Sequence, residues 1–256
     1  MDSLFILKIG GKVIEEQALL GEALRAFTEQ PGYKILIHGG GKKATDISSK
    51  LNIPAQMIHG RRVTDAATLE VAVMVYAGLA NKTIVAGLQA LGCNAIGLSG
   101  ADANAILAHR RAVTMVDYGF AGDVDNVNAA TIQTLLQGGF APVFCAITHD
   151  GKGQLLNTNA DTIASMVAIA MSQHYEVHLN FCFEKPGVLL DPADDTSALS
   201  ALSPTDYQLY VSKGIISDGM LPKLDNAFAA LRHGVQTVRI GDVAAVLSKK
   251  GTLLTR

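Results

Sequence analysis

The chain has little cysteine, almost no net charge and no long apolar run. Cys93, Cys145 and Cys182 are few, odd in number and far apart, which argues against a disulfide framework or a zinc cluster and fits a reducing compartment. A formal net charge of -2 gives no reason to expect nucleic acid or an anionic membrane as a partner. The first residues, MDSLFILK, show no basic segment followed by a cleavable apolar one, so we expect no export. The apolar runs are far shorter than the roughly 18 residues of a membrane-spanning helix. We therefore expect a cytoplasmic protein.

Two common kinds of site are also missing as sequence patterns. The P-loop spacing G-x-x-x-x-G-K-[ST] occurs nowhere in the chain. The seven histidines show no spacing typical of metal ligands, so we predict no metal held by protein side chains.

What the sequence does contain is an alternation of strand-like and helix-like segments. Apolar segments such as 5–9, 34–38 and 141–148 alternate with amphipathic stretches, and 49% of the residues are hydrophobic. This alternation predicts an α/β fold, with a mostly parallel central sheet and helices on both faces. No linker or repeat divides the chain, so we predict one domain over 1–256 whose two lobes share the sheet. The longest helical pattern runs over 65–92, and the irregular stretch 108–127 could form a hairpin.

The first strand-like segment, FILKIGGK, places a lysine among apolar residues and two glycines directly after them. A buried lysine needs a partner because its charge loses hydration. Ligands of parallel α/β sheets bind at the carboxyl ends of strands, and glycine lets an oxyanion approach backbone N–H groups. Lys8, Gly10 and Gly11 therefore indicate an anion site, although a tight turn would explain the glycines alone.

A second glycine cluster, Gly39 to Gly41, follows the next strand-like segment. Two such turns side by side could hold the two ends of a phosphoryl transfer. The segment GGGKKA also fits the looser G-x-G-x-x-A pattern of a dinucleotide site, with Arg61 and Arg62 about 20 residues further on. An NADP-dependent oxidoreductase is therefore the competing interpretation, but it leaves Lys8 unexplained.

A second lysine and an aspartate lie at the starts of predicted helices. Lys223 falls in a first helical turn, next to Pro222, where the helix dipole disfavours a cation, although a solvated helix end would tolerate it. Asp161 ends the segment NTNAD, which is explained by helix capping alone. Asp161 could nevertheless hydrogen-bond the ammonium groups of both Lys8 and Lys223 and orient them without itself titrating.

The segments that carry these residues occur in the order and spacing of a known family. They resemble the amino acid kinase family over essentially the whole chain, from Leu4 to the C terminus, and most of all its kinases of acylated glutamate. The segments are KIGGK, IHGGGKKATD, GRRVTDAATLEVA, GLSGADAN, GQLLNTNAD and GIISDGMLPKLDNA.

The resemblance implies a fold and a reaction. The fold is an open αβα sandwich, and the reaction transfers phosphate from ATP, with Mg²⁺ on the nucleotide, to the γ-carboxylate of N-acetyl-L-glutamate in arginine biosynthesis. An N-terminal lobe over 1–175 would hold the acylglutamate, and a C-terminal lobe over 176–256 would hold ATP. Because the acceptor is already ionised, catalysis would need alignment and charge neutralisation rather than a protein nucleophile.

The resemblance also implies roles for individual residues. Lys8 and Lys223 would stabilise the transferring phosphoryl group, with Asp161 orienting them. The residues implied to contact the acylglutamate are Gly40, Gly41, Arg62 and Asn157, and those implied to contact the nucleotide are Gly10, Gly11, Glu184, Gly187, Ile216 and Ser217.

The chain departs from the family pattern near these residues. Phe183-Glu184 stands where the family usually has a Thr/Ser-Asp pair. Glu184 can replace the aspartate with a longer reach, but Phe183 brings no hydroxyl to the nucleotide. Ala101 stands where a lysine is common, which weakens any role of that loop.

Three alternatives stay open at this point. Arg61 beside Arg62 could meet a second substrate carboxylate, as in N-succinylglutamate, or could be a solvated neighbour. The oxidoreductase is the second alternative. A non-catalytic sensor of an amino acid and a nucleotide is the third, but it would not need Lys8, Lys223 and Asp161 together.

The resemblance further implies an oligomeric state. Relatives that arginine inhibits carry an additional N-terminal helix, which joins dimers into a hexamer, whereas this chain starts directly at its first strand. We therefore expect an arginine-insensitive homodimer, paired through the apolar helix 65–92, that acts on a small-molecule substrate.

Overall fold

The structure is a computed structural model that describes residues 1–58, 61–217 and 219–256. Gly60 of the segment GRRVTD, Asp218 of the segment SDGML, and His59 lie outside the described residues. The strands are β1 (Ser3–Ile9), β2 (Tyr33–His38), β3 (Gln56–Ile58), β4 (Arg61–Val63), β5 (Ala95–Leu98), β6 (Ile106–Arg110), β7 (Ala121–Val127), β8 (Ala141–Cys145), β9 (Ile147–His149), β10 (Leu155–Thr158), β11 (Glu176–Cys182), β12 (Ala201–Leu202), β13 (Thr237–Gly241) and β14 (Thr252–Leu254).

A mostly parallel sheet forms the centre of the fold. Within the described residues its strand order is β12-β14-β13-β11-β1-β2-β8-β5. All of its pairs are parallel except that between β13 and β14. The predicted α/β class with a mostly parallel sheet is therefore confirmed.

Helices lie on both faces of this sheet. They are α1 (Gly11–Glu15), α2 (Gln17–Glu29), α3 (Gly41–Lys50), α4 (Ala66–Ala72), α5 (Asn81–Ala90), α6 (Ala129–Gln137), α7 (Ala160–Met171), α8 (Pro204–Ser212), α9 (Met220–Arg232) and α10 (Val243–Leu247). Because side chains alternate along a strand, Leu4 and Ile6 of β1 join the core formed with α7 and α9, whereas Leu7 and Ile9 join the core formed with α2 and α5.

The predicted helix over 65–92 is present as one helical run from Ala66 to Ala90. Its middle, Val73–Ala80, is π-helical, which the sequence pattern did not indicate. The Asp65 side chain caps its start by accepting a hydrogen bond from the Thr68 N–H at 2.8 Å. By length and composition alone this run could cross a bilayer. Val71 and Leu88, however, are buried in the two cores of the sheet, as in the core helix of a folded domain.

A small closed barrel of β10, β7, β6 and β9 stands beside the main sheet. The antiparallel pairing of β6 with β7 confirms the hairpin predicted over 108–127. The second hairpin, β9 with β10, was not predicted, because its strands are only three and four residues long. Inside the barrel the hydroxyls of Thr148 and Thr158 are 2.7 Å apart.

Candidate active site

Lys8, Asp161 and Lys223 meet at the carboxyl end of β1. Lys8 Nζ lies 2.7 Å from Asp161 Oδ1, and Lys223 Nζ lies 3.2 Å from both carboxylate oxygens. Both lysines are buried, with 7% and 9% of their surface exposed. The structure thus brings together the three residues that the sequence placed in one site, and each lysine has the partner that its burial requires.

The surrounding helices hold this group in place. Asn159 is the N-cap of α7 and accepts hydrogen bonds from the N–H groups of Asp161 and Thr162 at 2.8 and 3.1 Å, so Asp161 lies in the first turn, where the helix dipole favours an anion. Lys223 lies in the first turn of α9, which packs against α7. Two helix starts therefore point at the end of β1.

The charges of this group do not cancel. Burial alone would raise the pKa of Asp161, but the charges of Lys8 and Lys223 outweigh it and hold the pKa well below its usual range. Burial and the charge of Lys8 lower the pKa of Lys223, against the opposing effect of Asp161. Two ammonium groups thus share one carboxylate, and the surplus positive charge favours binding of an anion.

Two phenylalanines flank Lys223. The centroids of the Phe181 and Phe183 rings each lie 5.6 Å from Lys223 Nζ, within the range of a cation–π contact. Glu184, the neighbour of Phe183, is exposed, and its charge also favours the protonated form of Lys223 by raising its pKa.

A cavity of about 230 Å³ opens beside Lys8 and Asp161, and we call it the first cavity. All four residues implied to bind the acylglutamate line it, namely Gly40, Gly41, Arg62 and Asn157. Gly40 has φ +153°, and a Cβ there would lie 2.9 Å from Tyr76 Cδ1. Only glycine lets the chain pass the Tyr76 ring at this point.

Arg62 is fixed on the wall of the first cavity by one of its two terminal nitrogens. Its Nη2 donates to the Gly41 carbonyl at 2.8 Å and to Thr45 Oγ1 at 2.7 Å. Its Nη1 is buried and has no hydrogen-bond partner within the described residues. A buried guanidinium N–H without a partner is costly, and a carboxylate in the first cavity would satisfy it.

The glycine loop after β2 is supported from behind by His38 and Asn81. The His38 Nδ1 lies 2.8 Å from the Gly39 carbonyl, and its Nε2 lies 3.0 Å from Asn81 Nδ2. Complete burial lowers the pKa of His38 to about 4, so the ring is neutral, with Nδ1 donating and Nε2 accepting. His38 is thus a core histidine that positions the loop.

A second cleft, of about 160 Å³, is lined by Phe183, Gly187, Ile216 and Ser217. Three of these are residues implied to contact the nucleotide. Gly187 also has a packing reason to be glycine, because a Cβ there would lie 2.5 Å from Thr252 Oγ1.

The turn after β1 offers fewer free donors than the sequence indicated. The Gly10 N–H already donates to the Cys182 carbonyl at 2.9 Å, so it belongs to the sheet ladder. Gly11 is the first residue of α1, and its N–H is one of those that a helix start leaves unpaired. The predicted anion contact of this turn therefore depends on Gly11.

Sequence reasoning missed several residues that shape the first cavity. Tyr76 and Arg111 line it, and Thr45 holds Arg62. Thr45 lies four residues after Gly41 on α3, and this spacing places the two residues on the same face of the helix. Tyr76 could not be told apart from a core residue of an apolar helix. No three His, Cys, Asp or Glu side chains of the described residues group as metal ligands.

Comparisons with known proteins agree with this geometry. The sequence profile of the amino acid kinase family matches residues 3–242. The acetylglutamate kinase of Parabacteroides distasonis is 50% identical over 98% of this chain and 99% of its own. Among solved structures, smu.665 from Streptococcus mutans is similar with a TM-score of 0.82 at 25% identity, over 98% of both chains. The carbamate kinase from Giardia lamblia bound to AMP-PNP has a TM-score of 0.71 at 12% identity, over 100% of this chain and 99% of its own, which shows a shared fold.

Proposed function

The chain belongs to the amino acid kinase family, and we propose that it transfers the γ-phosphoryl group of ATP to the γ-carboxylate of N-acetyl-L-glutamate. The products are the acyl phosphate and ADP. The relative at 50% identity, aligned over almost its full length, is named for this activity. The observation that carries the proposal is the pair of buried ammonium groups on one carboxylate, beside a cavity with an unsatisfied arginine.

The two lysines serve the phosphoryl group. In phosphoryl transfer to an ionised carboxylate the protein forms no bond, and it accelerates the reaction by alignment and by neutralising charge. Lys8 approaches from the first cavity and Lys223 from the start of α9, so the surplus charge of the pair meets the charge on the migrating group. Asp161 stays ionised, because its pKa is held low, and it fixes both ammonium groups without exchanging a proton.

The acylglutamate occupies the first cavity. Arg62 binds its α-carboxylate through the unpaired Nη1. The Asn157 amide, which Thr64 holds by accepting from its Nδ2 at 3.0 Å, binds the acylated nitrogen region. Backbone groups of Gly40 and Gly41 complete the contact. The γ-carboxylate then points toward Lys8.

The nucleotide occupies the second cleft, with its adenosine against Gly187, Ile216 and Ser217, and Glu184 at the rim. Its phosphates extend toward Gly11 and Lys223. Mg²⁺ enters as part of the substrate MgATP and is held by phosphate oxygens. The described lining of the first cavity lies between Lys8 and Asp161 and that of the second cleft between Phe183 and Met220, which supports an acylglutamate lobe over 1–175 and an ATP lobe over 176–256.

The proposed reaction also implies a pathway and a cellular compartment. The reaction belongs to amino-acid biosynthesis, in the arginine branch. Three free buried cysteines suit the cytoplasm, and neither charge nor composition calls for nucleic acid or a membrane as partner.

The exposed side chains of Met74 and Leu79 on the helical run 66–90 support a homodimer paired through that run.

An ADP-release assay tests the function. With ATP and Mg²⁺ we expect ADP release with N-acetyl-L-glutamate and far less with glutamate or aspartate, because neither of these has an acyl group for the region around Asn157. No release with any acceptor would overturn the proposal and favour a sensor. Fluorescence titration with NADPH tests the oxidoreductase, and we expect no binding.

A further inference from the structure

The Arg61 side chain is a cation on the wall of the first cavity, and it forms no hydrogen bond or ion pair within residues 1–58, 61–217 and 219–256. It is half-buried. Burial and the neighbouring charge of Arg111 lower its pKa. The carboxylate that partly offsets this is Asp123, but Arg111 already binds both Asp123 oxygens, with Nε 3.0 Å from Oδ2 and Nη2 in contact with Oδ1. Asp123 is therefore taken by Arg111, and the Arg61 guanidinium has no carboxylate partner among the residues that the structure describes.

Arg61 and Arg62 offer two separate positions for anions. They are consecutive residues of β4, so their side chains leave the strand in opposite directions. Arg62 reaches Gly41 and Thr45, whereas Arg61 lines the same cavity together with Arg111. Because the two side chains diverge, each guanidinium group is available to a different anionic group of a ligand.

Each cationic side chain that lines the first cavity can be matched with a carboxylate of the protein or of the substrate. The described lining has four cationic side chains, Lys8, Arg61, Arg62 and Arg111, and one carboxylate, Asp161. Asp161 balances Lys8, and Asp123 balances Arg111. N-acetyl-L-glutamate places its α-carboxylate on Arg62 and its γ-carboxylate at the phosphoryl group. Its acetyl group is neutral, so Arg61 stays unbalanced.

This count rests on the proposed function and extends it to the acyl group. We propose that the first cavity also takes acylglutamates whose acyl chain ends in a carboxylate, as in N-succinyl-L-glutamate, and that Arg61 binds this terminal carboxylate. The planar guanidinium suits a bidentate contact with a carboxylate. Arg111 lines the same cavity, and its positive charge adds to the attraction for an anion.

The test compares three acceptors in the ADP-release assay: N-acetyl-, N-succinyl- and N-butyryl-L-glutamate. The butyryl group has the length of the succinyl group but ends in a methyl group, so the pair differs by the terminal charge. We expect a kcat/KM for the succinyl compound at least tenfold above that for the butyryl compound. Arg61→Gln should lower this ratio at least tenfold. Arg25→Gln, the same change at an exposed position on α2, is the matched control and should leave the ratio unaltered.

The outcomes separate the two proposals. If the acetyl compound is phosphorylated but the succinyl compound is no better than the butyryl compound, this inference is wrong and the proposed function stands. The same holds if Arg61→Gln lowers kcat/KM equally for both long-chain acceptors. If no acceptor is phosphorylated, both proposals are wrong. The comparison on the unaltered protein decides the matter even if Arg61→Gln folds poorly.

Discussion

Lys8 and Lys223, one on the first strand and the other at the start of α9, are held by the same carboxylate. Lys8 contacts one oxygen of Asp161, and Lys223 is equidistant from both. The repulsion between two ammonium groups at such a site is tolerated because the carboxylate lies between them and stays ionised. The arrangement holds both ammonium groups in position before any ligand arrives, which is the preorganisation that electrostatic catalysis requires.

Removing either ammonium group should affect the chemical step more than binding. We expect Lys8→Ala and Lys223→Ala each to lower kcat about 10²–10³-fold, with a smaller change in the KM for N-acetyl-L-glutamate. Steady-state kinetics by ADP release measure both constants. Lys43→Ala, which removes a charge from an exposed position of α3, is the control. A near-normal kcat in either lysine variant would remove that lysine from the mechanism.

Asp161 should set the alkaline limit of activity. Its negative charge raises the pKa of Lys223 against burial and the charge of Lys8, and Lys223 acts only as the ammonium form. In Asp161→Asn that support is lost, so we expect the alkaline limb of the pH profile of kcat to move to lower pH. An unchanged limb in a folded, slower variant would mean that Asp161 does not control the charge of Lys223.

Phe183 should contribute to activity through the contact of its ring with Lys223. The hydroxyl that the family usually has at this position should be dispensable. A cation–π contact with Lys223 is worth about 0.5–2 kcal/mol, so Phe183→Leu should lower kcat by about 2- to 30-fold. Phe183→Tyr keeps the ring and should retain most of the activity. Phe140→Leu, at a partly exposed phenylalanine outside the two sites, controls for the loss of a ring. Equal losses in the Leu and Tyr variants would contradict this role.

His38 should make stability depend on pH. Its pKa is lowered from 6.5 to about 4 in the folded protein, so as pH falls below 6.5 the unfolded chain takes up a proton that the folded protein does not. The free energy of unfolding should therefore fall between pH 6.5 and pH 4, by about 3 kcal/mol in total. Urea unfolding across this range should show a flatter dependence for His38→Asn than for His174→Asn, an exposed control. Parallel curves would contradict the buried neutral ring.

The sequence predicted those parts of the fold that depend on local pattern. The apolar strand with Lys8, the glycine turns and the capped start of α7 each follow from a few neighbouring residues. That Asp161 meets both lysines followed from a chemical need, since a buried ammonium group requires a partner.

The parts that were not predicted depend on contacts distant in the chain. The strands β9 and β10 are too short for an alternating pattern to be visible, and they exist because the barrel pairs them. The break between α1 and α2 at Glu16, whose backbone is extended, is also not visible in the sequence, because no proline or glycine marks that position. The closeness of Tyr76 to Gly40 and of Arg61 to Arg111 arises only when separate elements pack together.

The ladder between β1 and β11 runs from Ser3 with Glu176 to Ile9 with Cys182 and joins the halves of the chain on either side of residue 175. A cut at that point would leave each fragment with a long unpaired strand edge, which is prone to association with other chains. The core that includes Leu4, Val177 and Leu179 would also be divided. The boundary near residue 175, which we propose to lie between two ligand sites, therefore does not divide the chain into two folding units, and neither fragment should be soluble or ordered when produced without the other.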